Sequence, residues 1–135
     1  MMDASTRETI NLYLERARRD VQAATELQRL GYLEIATSRA YYAAFYALTA
    51  ALYSVNVVRR KHSGLKAALS EFLVRPGLIE MAFKDIYDRL FNQRNVSDYR
   101  PLVELEEAQA RQLLEDARRF VTRMERFARE QGALD

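Results

Sequence analysis

The segment ATSRAYYAAFYALTAALY, residues 36–53, decides the fold of this chain. Its alanines recur at intervals of three and four residues, which places them together on one surface of an α-helix. Small side chains allow neighbouring helices to approach closely. The sequence therefore predicts a helix over about residues 32–53 within an all-α domain. The alanines that form the surface are Ala36, Ala40, Ala43, Ala44, Ala47, Ala50 and Ala51.

Helical spacing of apolar residues predicts a first helix before this segment. Ser5 and Glu8 have the spacing of a capping box, and Gly31 is typical of a helix C-terminus. We expect the helix to end near residues 30–31. Its inward-facing residues are predicted to be Ile10, Tyr13, Leu14, Ala17, Val21, Ala24 and Leu27.

Three more helices are predicted after the alanine-rich segment. The third follows KHSG and is broken by RPG at residues 75–77, and the fourth ends near Asp98 because Pro101 restricts Arg100. The fifth covers about residues 102–131. No segment alternates with a period of two, and the connections are short, so we predict an all-α, up-and-down antiparallel helical bundle. The predicted core of the fifth helix is Ala110, Leu113, Leu114, Ala117, Phe120, Val121, Met124 and Phe127.

Composition limits the class of protein. The 135 residues fit a single domain, and 49% of them are hydrophobic, which argues against a disordered chain. No apolar run approaches the length of a membrane span, and the N-terminus lacks the layout of a signal peptide. Without cysteine, neither disulfides nor thiolate metal sites are available. We expect a cytoplasmic protein that needs no metal or cofactor and has no membrane partner.

A row of polar-tipped residues lies beside the alanine surface of the second helix. Its members follow one another at intervals of three or four residues: Arg39, Tyr42, Tyr46, Thr49 and Tyr53. One interpretation is a half-buried helix whose hydroxyl groups reach water. The other is a polar wall of a cleft or of a subunit contact. Arg39 needs an anionic partner in either case, since a cation in so apolar a helix is costly without one.

Arg94 raises the same question in the segment NQRNVSDYRP, residues 92–101. It continues the apolar side of the fourth helix, and Asp98 lies four residues further on, within reach for an ion pair. One interpretation is a structural Arg94–Asp98 pair that closes the bundle. The other is a site in which Arg94 binds a phosphate group and its polar neighbours position it.

Four blocks of the sequence, in this order and spacing, resemble the HEPN domain family. They are SRAYYAAFYA at residues 38–47, KHSGL at 61–65, RNVSDY at 94–99 and EEAQARQLLEDARRFV at 106–121. The resemblance covers about residues 7–128 and points to the small, free-standing prokaryotic members. It implies a bundle of four main helices plus an additional helix, and a homodimer whose polar motifs face a shared cleft. It also implies a minimal nucleotidyltransferase as the partner in a toxin–antitoxin pair.

Many members of this family are metal-independent ribonucleases whose motif is an arginine, a polar residue and then a histidine. The resemblance assigns Arg94 and Asn95 to the first two positions, and Tyr99 stands where the histidine is expected, with Asp98 just before it. Tyrosine is a poor base because its ordinary pKa is near 10. Asp98 could act as a base but not as an acid at neutral pH unless its pKa were raised. These four residues are the catalytic candidates.

His62 is the single histidine of the chain and belongs to a basic segment, Arg59, Arg60, Lys61 and His62. One interpretation is a helix-start residue that hydrogen-bonds the backbone. The other is a basic rim for phosphates, since residues 58–100 carry nine basic and five acidic side chains. The sequence favours a non-catalytic dimeric module that binds nucleotide or RNA or pairs with a nucleotidyltransferase. The alternative is a ribonuclease toxin. The candidate binding residues are Arg39, Tyr42, Tyr46, Arg59, Arg60, Lys61, His62 and Arg94.

Overall fold

A computed structural model describes residues 2–100 and 104–132. These ranges form five α-helices and one π-helical turn, with no β-strand among them, so the predicted all-α class is confirmed. None of these helices is long and apolar enough to span a membrane. The helices are α1 (Ala4–Arg29), α2 (Leu33–Tyr53), α3 (His62–Ala68), α4 (Met81–Tyr99) and α5 (Glu107–Glu130), and the π-helical turn Leu69–Val74 continues α3.

The four long helices run up, down, up and down, and α2 packs against each of the other three. Side-chain pairs show the directions. In each pair of helices the residue number falls on one helix as it rises on the other. The contacts along α1 and α2 are Asp20–Arg39 and Tyr13–Tyr53, and those along α4 and α5 are Gln93–Gln109 and Glu80–Arg123. The main core draws residues from all five helices.

The alanine surface of α2 is buried as predicted. Each of its seven alanines is at most 3% exposed, which brings the α2 backbone close to its neighbours. Close approach of this kind leaves no room for larger side chains at these positions. The same packing fixes the direction in which the polar row of α2 faces.

The first helix begins two residues earlier than a Ser5 cap requires. Asp3 is the N-cap, and its Oδ1 accepts a hydrogen bond from the backbone N–H of Thr6 at 2.7 Å. The predicted capping box is therefore wrong, because a carboxylate two residues upstream takes the capping role. The predicted C-terminus is confirmed, since Gly31 adopts a φ of +90° directly after the helix end.

The third helix starts at His62, so Gly64 lies inside it rather than before it. The helix continues through the π-helical turn and ends at the predicted RPG break, where Gly77 has a φ of +83°. Leu65, Leu69 and Leu73 are buried in the core.

The fifth helix buries all eight of its predicted core residues. It begins at Glu107, later than predicted, and the predicted start near residue 102 falls outside the described ranges. The fourth helix ends at Tyr99, within one residue of the prediction. Its C-terminal turn carries the Arg94 segment, so the fold sets this segment against α2.

Candidate functional site around Arg94

Arg94 extends from α4 onto two tyrosine rings of α2. Its guanidinium carbon lies 5.4 Å from the ring centroid of Tyr41 and 5.5 Å from that of Tyr42. Its Nη2 donates to the Tyr42 hydroxyl at 3.3 Å. The side chain is only 15% exposed, so the aromatic contacts replace much of its hydration. The helix pair α2–α4 thus holds this cation in one orientation.

Asp98 is the carboxylate partner of Arg94, as the sequence predicted. Its Oδ2 lies 3.0 Å from Nε of Arg94, one helical turn further along α4. The Nε–H group makes no aligned hydrogen bond there, so the attraction is mainly electrostatic. Asp98 is 37% exposed. The pair is therefore open to water on the side of the acid.

His62 joins the same group of residues from α3. Its ring lies against Tyr41, Tyr42 and Phe45, and its Nδ1 is 2.6 Å from the Tyr41 hydroxyl. It does not cap the backbone of α3, whose N-cap is Lys61 and has no side-chain capping bond. We call Tyr41, Tyr42, His62, Arg94 and Asp98 the Arg94 cluster.

Two buried hydroxyl groups continue the hydrogen bonding from His62 into the core. The Tyr41 hydroxyl lies 3.4 Å from that of Tyr87 on α4. Burial raises the pKa of Tyr41, and it raises the pKa of Tyr87 well above its ordinary value. Both residues therefore remain protonated at neutral pH. A neutral His62 ring can accept a hydrogen bond from the Tyr41 hydroxyl, and the Tyr41 oxygen can in turn accept a hydrogen bond from the Tyr87 hydroxyl.

The pKa of His62 is lowered, first by burial and second by the positive charge of Arg94. Both effects disfavour the imidazolium. Because the ordinary value is near 6.5, the ring is neutral at physiological pH. Arg94 is then the cation of the cluster, and Asp98 is its anion.

Arg39 extends this arrangement along α2. Its guanidinium carbon lies 4.8 Å from the Tyr42 ring centroid, so Tyr42 contacts two arginines. Its anionic partner is Asp20, at 3.4 Å from Nη1. Tyr46 lies one turn further along the helix, and the guanidinium carbon of Arg16 of α1 lies 5.0 Å from its ring centroid. The polar row of α2 therefore packs against cations of α1, α2 and α4.

The other basic candidates lie apart from this arrangement. Arg59 is exposed, and its guanidinium carbon lies 5.7 Å from the ring centroid of Phe72. Arg60 and Lys61 are also exposed, and no residue of the described ranges forms an ion pair with either. His62 alone connects this segment to the Arg94 cluster.

The side chains of the remaining catalytic candidates form no hydrogen bond or ring contact with the cluster among the described residues. Asn95 is half-buried on α4, and its side chain makes no hydrogen bond within the part of the chain that the structure describes. Tyr99 is the last residue of α4 and is 76% exposed. Its side chain has neither a hydrogen bond nor a ring contact with any described residue.

Sequence reasoning missed Tyr41 as a member of the site. It singled out Tyr42 and the residues at helical spacing from it, and Tyr41 belongs to the buried side of the same helix. The available signal was the hydroxyl group itself, because a buried hydroxyl needs a partner and His62 is a natural one. Across residues 2–100 and 104–132, no three His, Cys, Asp or Glu side chains converge as metal ligands.

Comparison with known proteins identifies the family. Residues 10–127 match the HEPN domain. The chain belongs to the HEPN domain family. The match spans nearly all of the described bundle, including the whole Arg94 cluster.

Relatives of this HEPN chain include proteins from a bacterium and an archaeon. A "UPF0332 protein" of Thermotoga maritima is 32% identical over 87% of this chain and 89% of the relative. Two proteins of Methanocaldococcus jannaschii carry the names "Putative toxin MJ0605" and "Putative toxin MJ0142". The first is 29% identical over 96% of both chains, and the second is 21% identical over 94% of this chain and 86% of its own length.

Proposed function

We propose that this HEPN chain is a non-catalytic dimeric module that binds phosphate groups of a nucleotide or RNA at Arg94. We further propose that it pairs with a minimal nucleotidyltransferase in a toxin–antitoxin-type system. The names of the two archaeal relatives support the toxin–antitoxin setting. The family resemblance supports the dimer and the partner enzyme.

The observation that carries the proposal is the way Arg94 is held. Tyr41, Tyr42 and Asp98 fix its guanidinium, yet Nη1 has no hydrogen-bond partner among the described residues. A positioned guanidinium with a free N–H edge suits a phosphate oxygen. Tyr42 and Asp98 occupy other parts of the same group, so a ligand would add to these contacts rather than replace them.

The protonation states favour binding without cleavage. Attack by a 2′-hydroxyl needs a base and an acid whose pKa values lie near neutrality. Tyr99 is 76% exposed, and its side chain has no hydrogen bond or ring contact with any residue of the described ranges. Asp98 already balances the charge of Arg94. This arrangement leaves the motif without the acid–base pair that its ribonuclease relatives use.

A metal-independent ribonuclease is the second candidate function, with Tyr99 standing in the place of the motif histidine. One observation favours it: His62 lies within the Arg94 cluster. A neutral imidazole beside an arginine has the chemistry of a general base. In this alternative His62, from another helix, would supply the proton transfer that Tyr99 cannot.

Cleavage and binding can be tested on the same protein samples. Purified wild type and Arg94→Ala would be incubated with total cellular RNA in EDTA, and Arg111→Ala would serve as a control for loss of one exposed arginine. We expect intact RNA in every sample. EDTA-resistant cleavage by wild type that Arg94→Ala abolishes and Arg111→Ala retains would overturn the non-catalytic proposal. His62→Gln would then show whether the imidazole takes part.

Binding would be measured by fluorescence anisotropy with a labelled oligoribonucleotide at several salt concentrations. We expect wild type and Arg111→Ala to bind alike and Arg94→Ala to bind at least about tenfold more weakly. Affinity should fall steeply as salt rises, because phosphate contacts release counterions. Equal binding by wild type and Arg94→Ala would remove Arg94 as the binding residue.

A further inference from the structure

A second basic groove lies between the start of α4 and the second half of α5. It has a volume of about 340 Å³, and four arginines line it: Arg118, Arg119, Arg123 and Arg126. Phe83 and Glu80 line the side toward α4. Phe83 and Arg94 are eleven residues apart on α4, which separates the groove from the Arg94 cluster by roughly 16 Å along the helix axis.

Arg123 is the most buried of the four arginines that line this groove. Its side chain is 9% exposed, its Nε lies 2.8 Å from Oε1 of Glu80, and its Nη2 donates to the Leu78 carbonyl at 3.1 Å. Its Nη1 is buried and has no hydrogen-bond partner in the described part of the chain. A buried guanidinium N–H without an acceptor is costly, so an anion or a water molecule is expected there.

The groove also carries an excess of positive charge. Its four arginines face two lining carboxylates, Glu80 and Glu115. Arg118 is paired with Glu115 at 3.5 Å, and Arg119 is 3.9 Å from Asp116. Arg126 forms no ion pair with a described residue. The lining therefore has two more arginines than carboxylates, and Asp116, which lies outside the lining, offsets part of the charge of Arg119.

We infer that this groove is a second oxyanion site that takes a compact dianion, namely a phosphate group. Arg119 and Arg126 are exposed and would contact the phosphate oxygens, and the unpaired Nη1 of Arg123 would gain an acceptor if its side chain turned toward the ligand. The excess of arginines in the lining favours an anion, and several guanidinium groups can serve the oxygens of one phosphate group at once. The site does not depend on what the Arg94 cluster binds.

Amide and arginine-side-chain NMR spectra of the full chain would test the site residue by residue. The probes are inorganic phosphate and glycerol 2-phosphate, each added at constant ionic strength with chloride as the control. We expect saturable shifts at Phe83, Arg119, Arg123 and Arg126. Preference for glycerol 2-phosphate would indicate a phosphate monoester ligand, and preference for inorganic phosphate would indicate the free anion.

Variants with exposed side chains keep the test independent of folding. Arg126→Gln and Arg119→Gln should each weaken phosphate binding by about tenfold or more. Arg111 lies on the same helix outside the groove and is paired with Glu107, so Arg111→Gln should leave the affinity unchanged. Arg123→Gln should abolish the groove shifts if it folds.

Two results would overturn the inference. One is the absence of saturable shifts in the groove at about 10 mM of either probe. A Kd on the order of 10 mM or weaker would be too weak to matter in a cell. The other is unchanged affinity in both Arg126→Gln and Arg119→Gln. Shifts confined to Arg94 and its neighbours would assign phosphate binding to the first site alone.

Discussion

The hydroxyl oxygen of Tyr41 lies 2.6 Å from Nδ1 of His62, and this contact ties the middle of α2 to the first residue of α3. Tyr41 is fully buried and His62 is half-buried, so water has little access to either group. The His62 ring also faces Tyr42, Phe45 and the charge of Arg94. The contact therefore holds α3 against α2, and its strength depends on whether the His62 ring is neutral or protonated.

Lower pH should destabilise the protein through His62. Because its folded pKa is lowered, the unfolded chain binds the proton more readily, and the free energy of unfolding rises with pH through this window. The stability that neutral His62 contributes is fully present above about pH 6.5, the unfolded value. It is lost progressively as pH falls below that value toward the folded pKa. Urea unfolding at pH 7.5 and pH 5.5 would measure the difference.

The matched variant for this experiment is His62→Gln, which keeps a polar side chain that does not titrate. We expect its unfolding free energy to change less between pH 7.5 and pH 5.5 than that of wild type. Identical pH dependence in the two proteins would show that His62 is free to ionise in the folded state.

Tyr41→Phe should destabilise the fold by about 1–3 kcal/mol, because it removes the partner of both His62 and the buried Tyr87 hydroxyl. The exposed Tyr99 provides the control, and Tyr99→Phe should stay within about 0.5 kcal/mol of wild type. Chemical unfolding of the two variants beside wild type makes the comparison. A loss in Tyr41→Phe no larger than that in Tyr99→Phe would argue against the hydrogen-bonded arrangement.

Asp98→Asn should cost only about 1 kcal/mol, although Arg94 is mostly buried. Asp98 is open to water, and Arg94 keeps its contacts with Tyr41 and Tyr42 after the charge is removed. Thermal unfolding would be compared with Glu107→Gln, which breaks an exposed pair of the same i,i+4 spacing. A loss of 3 kcal/mol or more in Asp98→Asn would mean that Arg94 depends on this carboxylate as its one counter-charge.

The proposed dimer has a direct measurement. Sedimentation equilibrium at micromolar concentration should give twice the chain mass of 15.7 kDa. A monomer at this concentration would exclude a cleft shared between two copies. It would leave phosphate binding by a single Arg94 cluster to be judged by the anisotropy experiment.

Periodicity predicted the parts of this fold whose burial depends on one helix face. All eight predicted core residues of α5 are buried, and so are the seven alanines of α2. The start of α1 was harder to predict. Asp3 and Ser5 are both favourable N-cap residues, and the sequence alone does not show which of them is used. Gly64 looked like a helix break, yet its backbone continues α3 without strain.

The site was predictable only where its residues share a helix. Arg94 and Asp98 are one turn apart on α4, so their pairing follows from spacing alone. The approach of His62 to Tyr41 depends on how α3 crosses α2, and a local pattern carries no information about that crossing. The exposure of Tyr99 likewise depends on where α4 ends relative to the rest of the bundle.

The alanine surface of α2 also limits how this sequence can diverge. A larger side chain at Ala43, Ala44 or Ala47 would push a neighbouring helix outward, and a glycine would cost about 1 kcal/mol of helix propensity. The core of α5 instead admits exchange among leucine, methionine and isoleucine at small cost. Among functional members of a random-substitution library, these α2 positions should therefore retain alanine or serine, whereas the buried leucine and methionine positions of α5 should exchange among large apolar residues. Substitutions are therefore expected to be frequent at large apolar positions such as those of α5 and rare on the alanine surface of α2.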